Sequence, residues 1–169
     1  MVNRSNETDF DLSKLIYAKV PSKKAESASL LDAVKRTEKQ VFPTGEAFQF
    51  DSELAKRTMN LYCAYLHTVE PAPLYRLCGY VVYLRTKALT RIHKVCVVES
   101  LRGNGVGRFM MAKVIEELRK SGAGEVDLWV DEGREPARGL YKACGFEEME
   151  SVENYYGEGR VGIRMRLEL

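Results

Sequence analysis

Apolar positions along this chain switch between a period of two and a period near 3.6, and the switches mark out alternating strands and helices. Leu15 to Val20 alternates as a short strand and stops at Pro21. Leu30, Leu31, Val34 and Val41 then recur at helical spacing around Glu26 to Gln40. Phe42-Pro43-Thr44-Gly45 must end that helix, because a proline pushes the residue before it out of helical geometry. A second, short helix is expected from a cap at Asp51 or Ser52 to the vicinity of Met59. Leu61 to Val69 and Leu74 to Arg85 read as strands joined by a hairpin connection, Glu70-Pro71-Ala72-Pro73.

Ile92 to Val98 is a third strand, rich in β-branched residues. Past a glycine-rich turn, Met110, Met111, Val114, Ile115 and Leu118 form one face of a helix from Phe109 to Lys120, closed by Ser121-Gly122. Val126 to Val130 is the next strand. Pro136 then opens a helix over Ala137 to Ala143, ended by Cys144-Gly145. Strand-like runs near Phe146 to Val152 and Val161 to Leu169 flank the turn-prone stretch from Tyr155 to Gly159. The expected order is β-α-α-β-β-β-α-β-α-β-β. That is an α/β fold with a central mixed, mostly antiparallel sheet and helices on both faces.

Composition narrows the partners. The chain has 169 residues, 45% apolar and 30% charged, which suits a single core. Residues 15–169 are expected to form one domain behind a polar, mobile tail over 1–14. That tail lacks the apolar stretch of a secretory leader, and no run approaches the roughly 20 apolar residues that span a bilayer. No membrane partner is expected; the compartment is the cytoplasm, with the nucleus as the other option. A net charge of +2, without a basic block, does not suit nucleic acid. The cysteines, Cys63, Cys78, Cys96 and Cys144, form no CxxC pair, and His67 and His93 are the only histidines. No metal site follows from that set, and buried, reduced thiols are expected. If the two middle strands pair, Cys63 and Cys78 could lie opposite each other, close enough for a disulfide; the reduced state is the preferred reading.

The densest chemistry lies where the third strand turns into a helix. Glycines at alternate positions, Gly103, Gly105 and Gly107, allow several N–H groups to point into one cavity. The helix start adds its unpaired N–H groups and the positive end of its dipole, and Arg102 and Arg108 add fixed charge. Such a site suits a pyrophosphate. It is not a P-loop, since Gly107 is followed by Arg108 rather than Lys-Ser/Thr, and the G-x-G-x-x-G dinucleotide spacing is absent.

Arg102-Gly103-Asn104-Gly105-Val106-Gly107 resembles the R/Q-x-x-G-x-G/A acetyl-CoA signature of the GNAT acetyltransferase superfamily. Arg138 to Phe146 is similar to that family's A-x-x-L-Y-x-x-x-G-F segment. Asn154-Tyr155-Tyr156 and Gln40-Val41-Phe42-Pro43 resemble the branch that acetylates protein N-termini, including the ribosomal-protein alanine type. The resemblance covers most of residues 15–169 and implies acetyl-CoA as co-substrate, no metal, and direct transfer of acetyl to an amine.

Roles follow from the resemblance residue by residue. Backbone N–H groups of Val97 and Val98 would meet the thioester oxygen. Gly103, Asn104, Gly105, Val106, Gly107 and Arg108 would hold the pyrophosphate beside Arg102. Arg134 stands where the family has an asparagine; it either reaches the cofactor or joins Arg138 and Lys142 in a solvated stripe. Tyr141 stands where the family places the general acid for the departing thiolate. Strand alternation puts residues 91, 93, 95 and 97 on one face. His93 is then either the base or a histidine satisfied by a neighbouring strand. Asp131 is the other candidate base, since Trp129 replaces the glutamate typical of the alanine branch. Phe42, Pro43, Tyr155 and Tyr156 would line the acceptor channel, with Glu46 either holding an ammonium or lying free at the surface. The acceptor is a protein or peptide amine or a small amine, the chain a monomer or homodimer. A CoA-binding module without catalysis is the third reading.

Overall fold

The computed structural model describes residues 10–20, 25–69 and 74–169. The elements are β1 (Ile16–Lys19), α1 (Ala25–Val41), α2 (Phe50–Glu53), β2 (Met59–Thr68), β3 (Leu74–Arg85), β4 (Thr90–Val97), α3 (Val106–Lys120), β5 (Glu125–Asp131), α4 (Glu135–Ala143), β6 (Glu147–Val152) and β7 (Gly162–Glu168). Their order is the expected one. They build a seven-stranded sheet, β1-β2-β3-β4-β5-β7-β6, in which only the β4–β5 pair is parallel. The parallel pair is the one joined by a helix, as a crossover requires.

Each face of the sheet has its own core. Leu30 and Val34 of α1 pack with Phe42, Phe50, Leu61, Tyr80 and Val82 on one face. Met110, Met111, Val114 and Leu118 of α3 pack with Val81, Leu128, Tyr141 and Met165 on the other. Both α3 and α4 stop on a glycine in the left-handed region, Gly122 at φ 73° and Gly145 at φ 93°. After α4, Phe146 N–H reaches the Tyr141 carbonyl at 3.0 Å and Gly145 N–H reaches Lys142 at 3.0 Å. This is the Schellman closure, and the Phe146 ring packs 6.1 Å from the Tyr141 ring. The helix end therefore fixes a side chain that the site uses.

Three expectations change. The second helix is a single turn, Phe50–Glu53, because Met59 is drawn into the sheet opposite Leu84. Cys63 and Cys78 do not face each other. Cys63 pairs with Tyr80, and a bulge beside Ala64 turns Cys78 to the opposite core, so both thiols are free. Of the expected tail, residues 1–9 lie outside the described residues, whereas Asp11 caps a 3-10 turn over Leu12–Lys14 and Phe10 packs on the core. The proposed hairpin connection at 70–73 and the strand stop at Pro21 also lie outside. Among the described residues, no helix is long and apolar enough to cross a membrane.

Candidate active site

β4 and β5 are in register at only two positions, Arg91 with Asp127 and Ile92 with Leu128. Beyond that rung each strand continues without the other, and the sheet opens. Two cavities occupy the opening, one of about 770 Å³ and one of about 410 Å³. Phe42, Val95, Arg134, Ala137 and Tyr141 line both, so the cavities meet there.

The larger cavity is bounded by the glycine turn. Gly103 and Gly105 adopt φ of 81° and 82°, a conformation that other L-residues adopt at a cost. Gly105 is the N-cap of α3 and has no side chain to offer, so the amides of Val106, Gly107 and Arg108 begin the helix without a side-chain cap. A Cβ on Gly107 would sit 3.1 Å from Leu140 and 3.5 Å from Val97, so the bare α-carbon lets α3 approach both β4 and α4. Arg102, Gly103, Gly105, Val106, Gly107 and Arg108 all line this cavity. Asn104 does not; its amide donates to the carbonyls of Leu101 and Arg102, at 3.2 and 3.3 Å, and braces the turn. Free helix amides, left-handed glycines and two arginines fit a pyrophosphate-bearing ligand such as CoA. Among the described residues, no cluster of His, Cys, Asp or Glu could hold a metal.

At the end of β4 the two expected amides differ. Val98 N–H is committed to the Cys78 carbonyl at 2.9 Å, so it is not free for a ligand, contrary to expectation. Antiparallel alternation then turns the Val97 and Val95 N–H groups away from β3, into the opening. Strand alternation places residue 95 on the face of Val97, but a role carried by the Val95 backbone N–H leaves no side-chain signal in the sequence.

His93 also departs from expectation. β4 bulges there: Lys94 pairs with Val82 and Ile92 with Tyr83, leaving His93 as the extra residue. Alternation is broken, and Ile92, Val95 and Val97 share the α3 side while Cys96 faces the α1 side. His93 lines the smaller cavity, with its ring 6.2 Å from Phe48. Partial desolvation, then the Arg91 cation, hold it below the ordinary imidazole range, in its neutral form.

Tyr141 is 7% exposed and faces both cavities. Burial raises its pKa, so it stays a neutral phenol able to donate a proton. Asp131 is held differently. Burial alone would raise its pKa, but hydrogen bonds from Gly133 N–H and Arg160, with the charges of Arg160 and Arg134, keep it below the usual carboxylate range. Glu46 is not a free surface carboxylate: it accepts from Arg160 and lies 4.0 Å from Arg134. Arg134 itself stands over the Phe42 ring at 4.8 Å, whereas Arg138 and Lys142 pair with Glu148 on β6. Trp129 stacks on Tyr155 at 4.2 Å, and Tyr156 meets Tyr155 edge-on at 4.9 Å. Gly162 makes room for this wall, since a Cβ there would strike Tyr155 at 2.6 Å. Pro43 and Val98 line neither cavity.

Sequence reading missed a buried network behind the acceptor loop. Glu38 accepts from the Tyr80 hydroxyl and from Phe48 N–H at 2.8 Å, and pairs with Lys94 at 3.1 Å. Lys94 also donates to the Glu46 carbonyl at 2.6 Å and covers the Phe42 ring. A charged residue on the last turn of a helix, otherwise buried, was the available signal.

Fold and cleft together define a class: a mixed-sheet α/β domain whose parallel strands part around a cleft beside an uncapped helix start. Residues 29–146 match the acetyltransferase (GNAT) family, and the chain belongs to that family. An uncharacterized N-acetyltransferase of Methanocaldococcus jannaschii is 33% identical over 78 residues, which cover 46% of this chain and 34% of that protein. The match thus spans about a third of that curated relative's length. Arabidopsis thaliana NAA60 in complex with acetyl-CoA superposes with a TM-score of 0.75 at 16% identity, over 92% of this chain and 98% of that one. The ribosomal-protein-S18-alanine N-acetyltransferase of Escherichia coli superposes with a TM-score of 0.70 at 18% identity, over 91% of this chain and 93% of the other.

Proposed function

We propose that this protein transfers acetyl from acetyl-CoA directly to an amine of a protein or peptide, with Tyr141 as general acid and His93 as base. The observation that carries this reading is the position of Tyr141 at the junction of the two cavities. The larger cavity takes the cofactor and the smaller one the acceptor. Acetyl-CoA, when bound, supplies a thioester whose carbonyl is open to attack.

The chain's own groups do the rest. Amides at the start of α3, with Arg102 and Arg108, hold the pyrophosphate. The Val97 and Val95 N–H groups meet the thioester oxygen as it gains charge. Neutral His93 takes the proton of the acceptor ammonium, directly or through water. Tyr141 gives its proton to the departing thiolate. Asp131 is poorly suited as the base, because Arg160 and Gly133 stabilise the carboxylate and make it a weak proton acceptor.

Two features favour a peptide acceptor. The walls are aromatic, from Phe42, Trp129, Tyr155 and Tyr156, and suit an extended chain. The lining carboxylates, Glu46 and Asp131, are both engaged by Arg160, whereas a polyamine or amino sugar calls for uncommitted anions. One superposed relative is by name a ribosomal-protein-S18-alanine N-acetyltransferase, and Tyr155-Tyr156 of this chain resembles the branch that acetylates protein N-termini. The test is acetyl-CoA-dependent thiol release across peptides with varied N-termini, lysine-containing peptides and polyamines. Release with one N-terminal class supports this reading. Release with small amines alone moves the assignment to them, and cofactor binding without any release identifies a non-catalytic CoA-binding protein.

A further inference from the structure

One residue outside the cavity wall holds both carboxylates that line the acceptor cavity. Arg160 lies between β6 and β7, just past Gly159. Its Nε donates to Asp131 Oδ2 at 2.7 Å, and a terminal nitrogen lies 2.5 Å from the same oxygen. The other terminal nitrogen donates to Glu46 and to the Tyr156 carbonyl at 3.2 Å. Asp131 Oδ1 is taken by Gly133 N–H at 2.9 Å, and Glu46 Oε2 faces Arg134 at 4.0 Å. Both Asp131 oxygens are hydrogen-bonded, and the one Glu46 oxygen that Arg160 leaves faces a second guanidinium, Arg134, at 4.0 Å.

The remaining charges of the wall are cationic or already paired. Arg91 is bonded to Asp127 through two nitrogens, each at 2.6 Å, and Lys94 is paired with Glu38. Arg134 adds a guanidinium at the junction with the cofactor cavity. A cavity so balanced admits one amine, which must lose its proton to react, and repels a second fixed positive charge beside it.

We propose that Arg160 is a selectivity residue: by neutralising Glu46 and Asp131 it excludes acceptors that carry another cation next to the reacting amine. This rests on the smaller cavity being the acceptor site. A merely structural Arg160, tying the α1–α2 loop to the end of β5, would affect all acceptors alike. A charge filter affects them in opposite directions.

The experiment compares two peptides with the same N-terminus, one with alanine and one with lysine at the second position. The unsubstituted protein should favour the alanine peptide in kcat/KM. Arg160→Gln, which removes the charge and keeps an amide donor, should move the ratio toward the lysine peptide by about three- to thirtyfold, the scale of one or two part-exposed ion pairs. Arg160→Lys should keep the ratio near the original, and Glu46→Gln with Asp131→Asn added to Arg160→Gln should cancel most of the shift. Parallel loss with both peptides, at an unchanged ratio, would overturn the proposal. Should Arg160→Gln not fold, added salt in the unsubstituted protein must erode the discrimination by screening, and a salt-independent ratio refutes it. If neither peptide releases thiol, the transfer reading fails on its own. Calorimetric titration of 1,3-diaminopropane then decides the filter: tighter binding to Arg160→Gln sustains it, and equal binding overturns it.

Discussion

Arg91 and Asp127 face each other on the last but one rung where β4 and β5 remain paired, and they close it with two parallel hydrogen bonds of 2.6 Å each. One rung further, beyond Ile92 and Leu128, the sheet opens into the cleft. The bidentate pair therefore pins the apex of the opening, and the Asp127 carboxylate raises the already high Arg91 pKa.

Asp127 is almost fully buried, so Asp127→Ala strands a guanidinium beside the cleft. The expected loss is about 3 kcal/mol, the lower end for breaking a buried pair from one side. Urea unfolding measures it. Replacing both partners, Arg91→Met with Asp127→Leu, should recover most of that loss, because neither charge is left without a counterpart. If the single and double variants are equally unstable, packing rather than the pair holds the apex.

Tyr141→Phe should lower kcat by about tenfold or more, within the range for loss of a positioned proton donor, with little change in acetyl-CoA affinity. The ring would remain clamped by Phe146, whose backbone closes α4 on the Tyr141 carbonyl. Steady-state kinetics beside a direct binding titration separates the two quantities. Turnover like that of the parent would remove the general-acid role.

The glycine turn and α3 were legible in the sequence because their signals are local: alternate glycines, a helical apolar stripe, a closing Ser-Gly. His93 was legible as a candidate but not in its geometry. A strand was assumed to alternate without interruption, and nothing local announces that β4 carries one residue more than β3 can pair. Nor does the sequence show the β2–β3 register, which sets Cys63 against Tyr80, or the bulge that sends Cys63 and Cys78 to different cores. Arg160 was illegible for another reason. Its partner Glu46 is 114 residues away, and charge pairs at that separation are made by the fold and leave no spacing to read.

His93 supplies a pH prediction whose sign follows from its lowered pKa. Desolvation, then Arg91, favour the neutral ring. The base form then dominates at neutral pH, and kcat/KM falls only as pH drops through a value below the ordinary 6.5. His93→Ala should remove that acidic limb and leave a lower, flatter profile. A limb that persists unchanged in the variant would assign the proton to another group or to water.

Gly105→Glu tests the cofactor turn from two sides. At φ 82° a side-chain-bearing residue costs about 1–2 kcal/mol, and a Cβ there also lies 3.1 Å from Leu12. Thermal unfolding should register that modest loss while the domain still folds. The new carboxylate would stand at the N-terminus of α3, in the place proposed for the pyrophosphate, and acetyl-CoA binding should vanish. Gly105→Ala carries the same backbone strain without the charge, so it should lose the same stability and keep part of the affinity. If the glutamate variant binds acetyl-CoA as well as the alanine variant does, the phosphates lie elsewhere, and the assignment of the larger cavity to the cofactor falls with them.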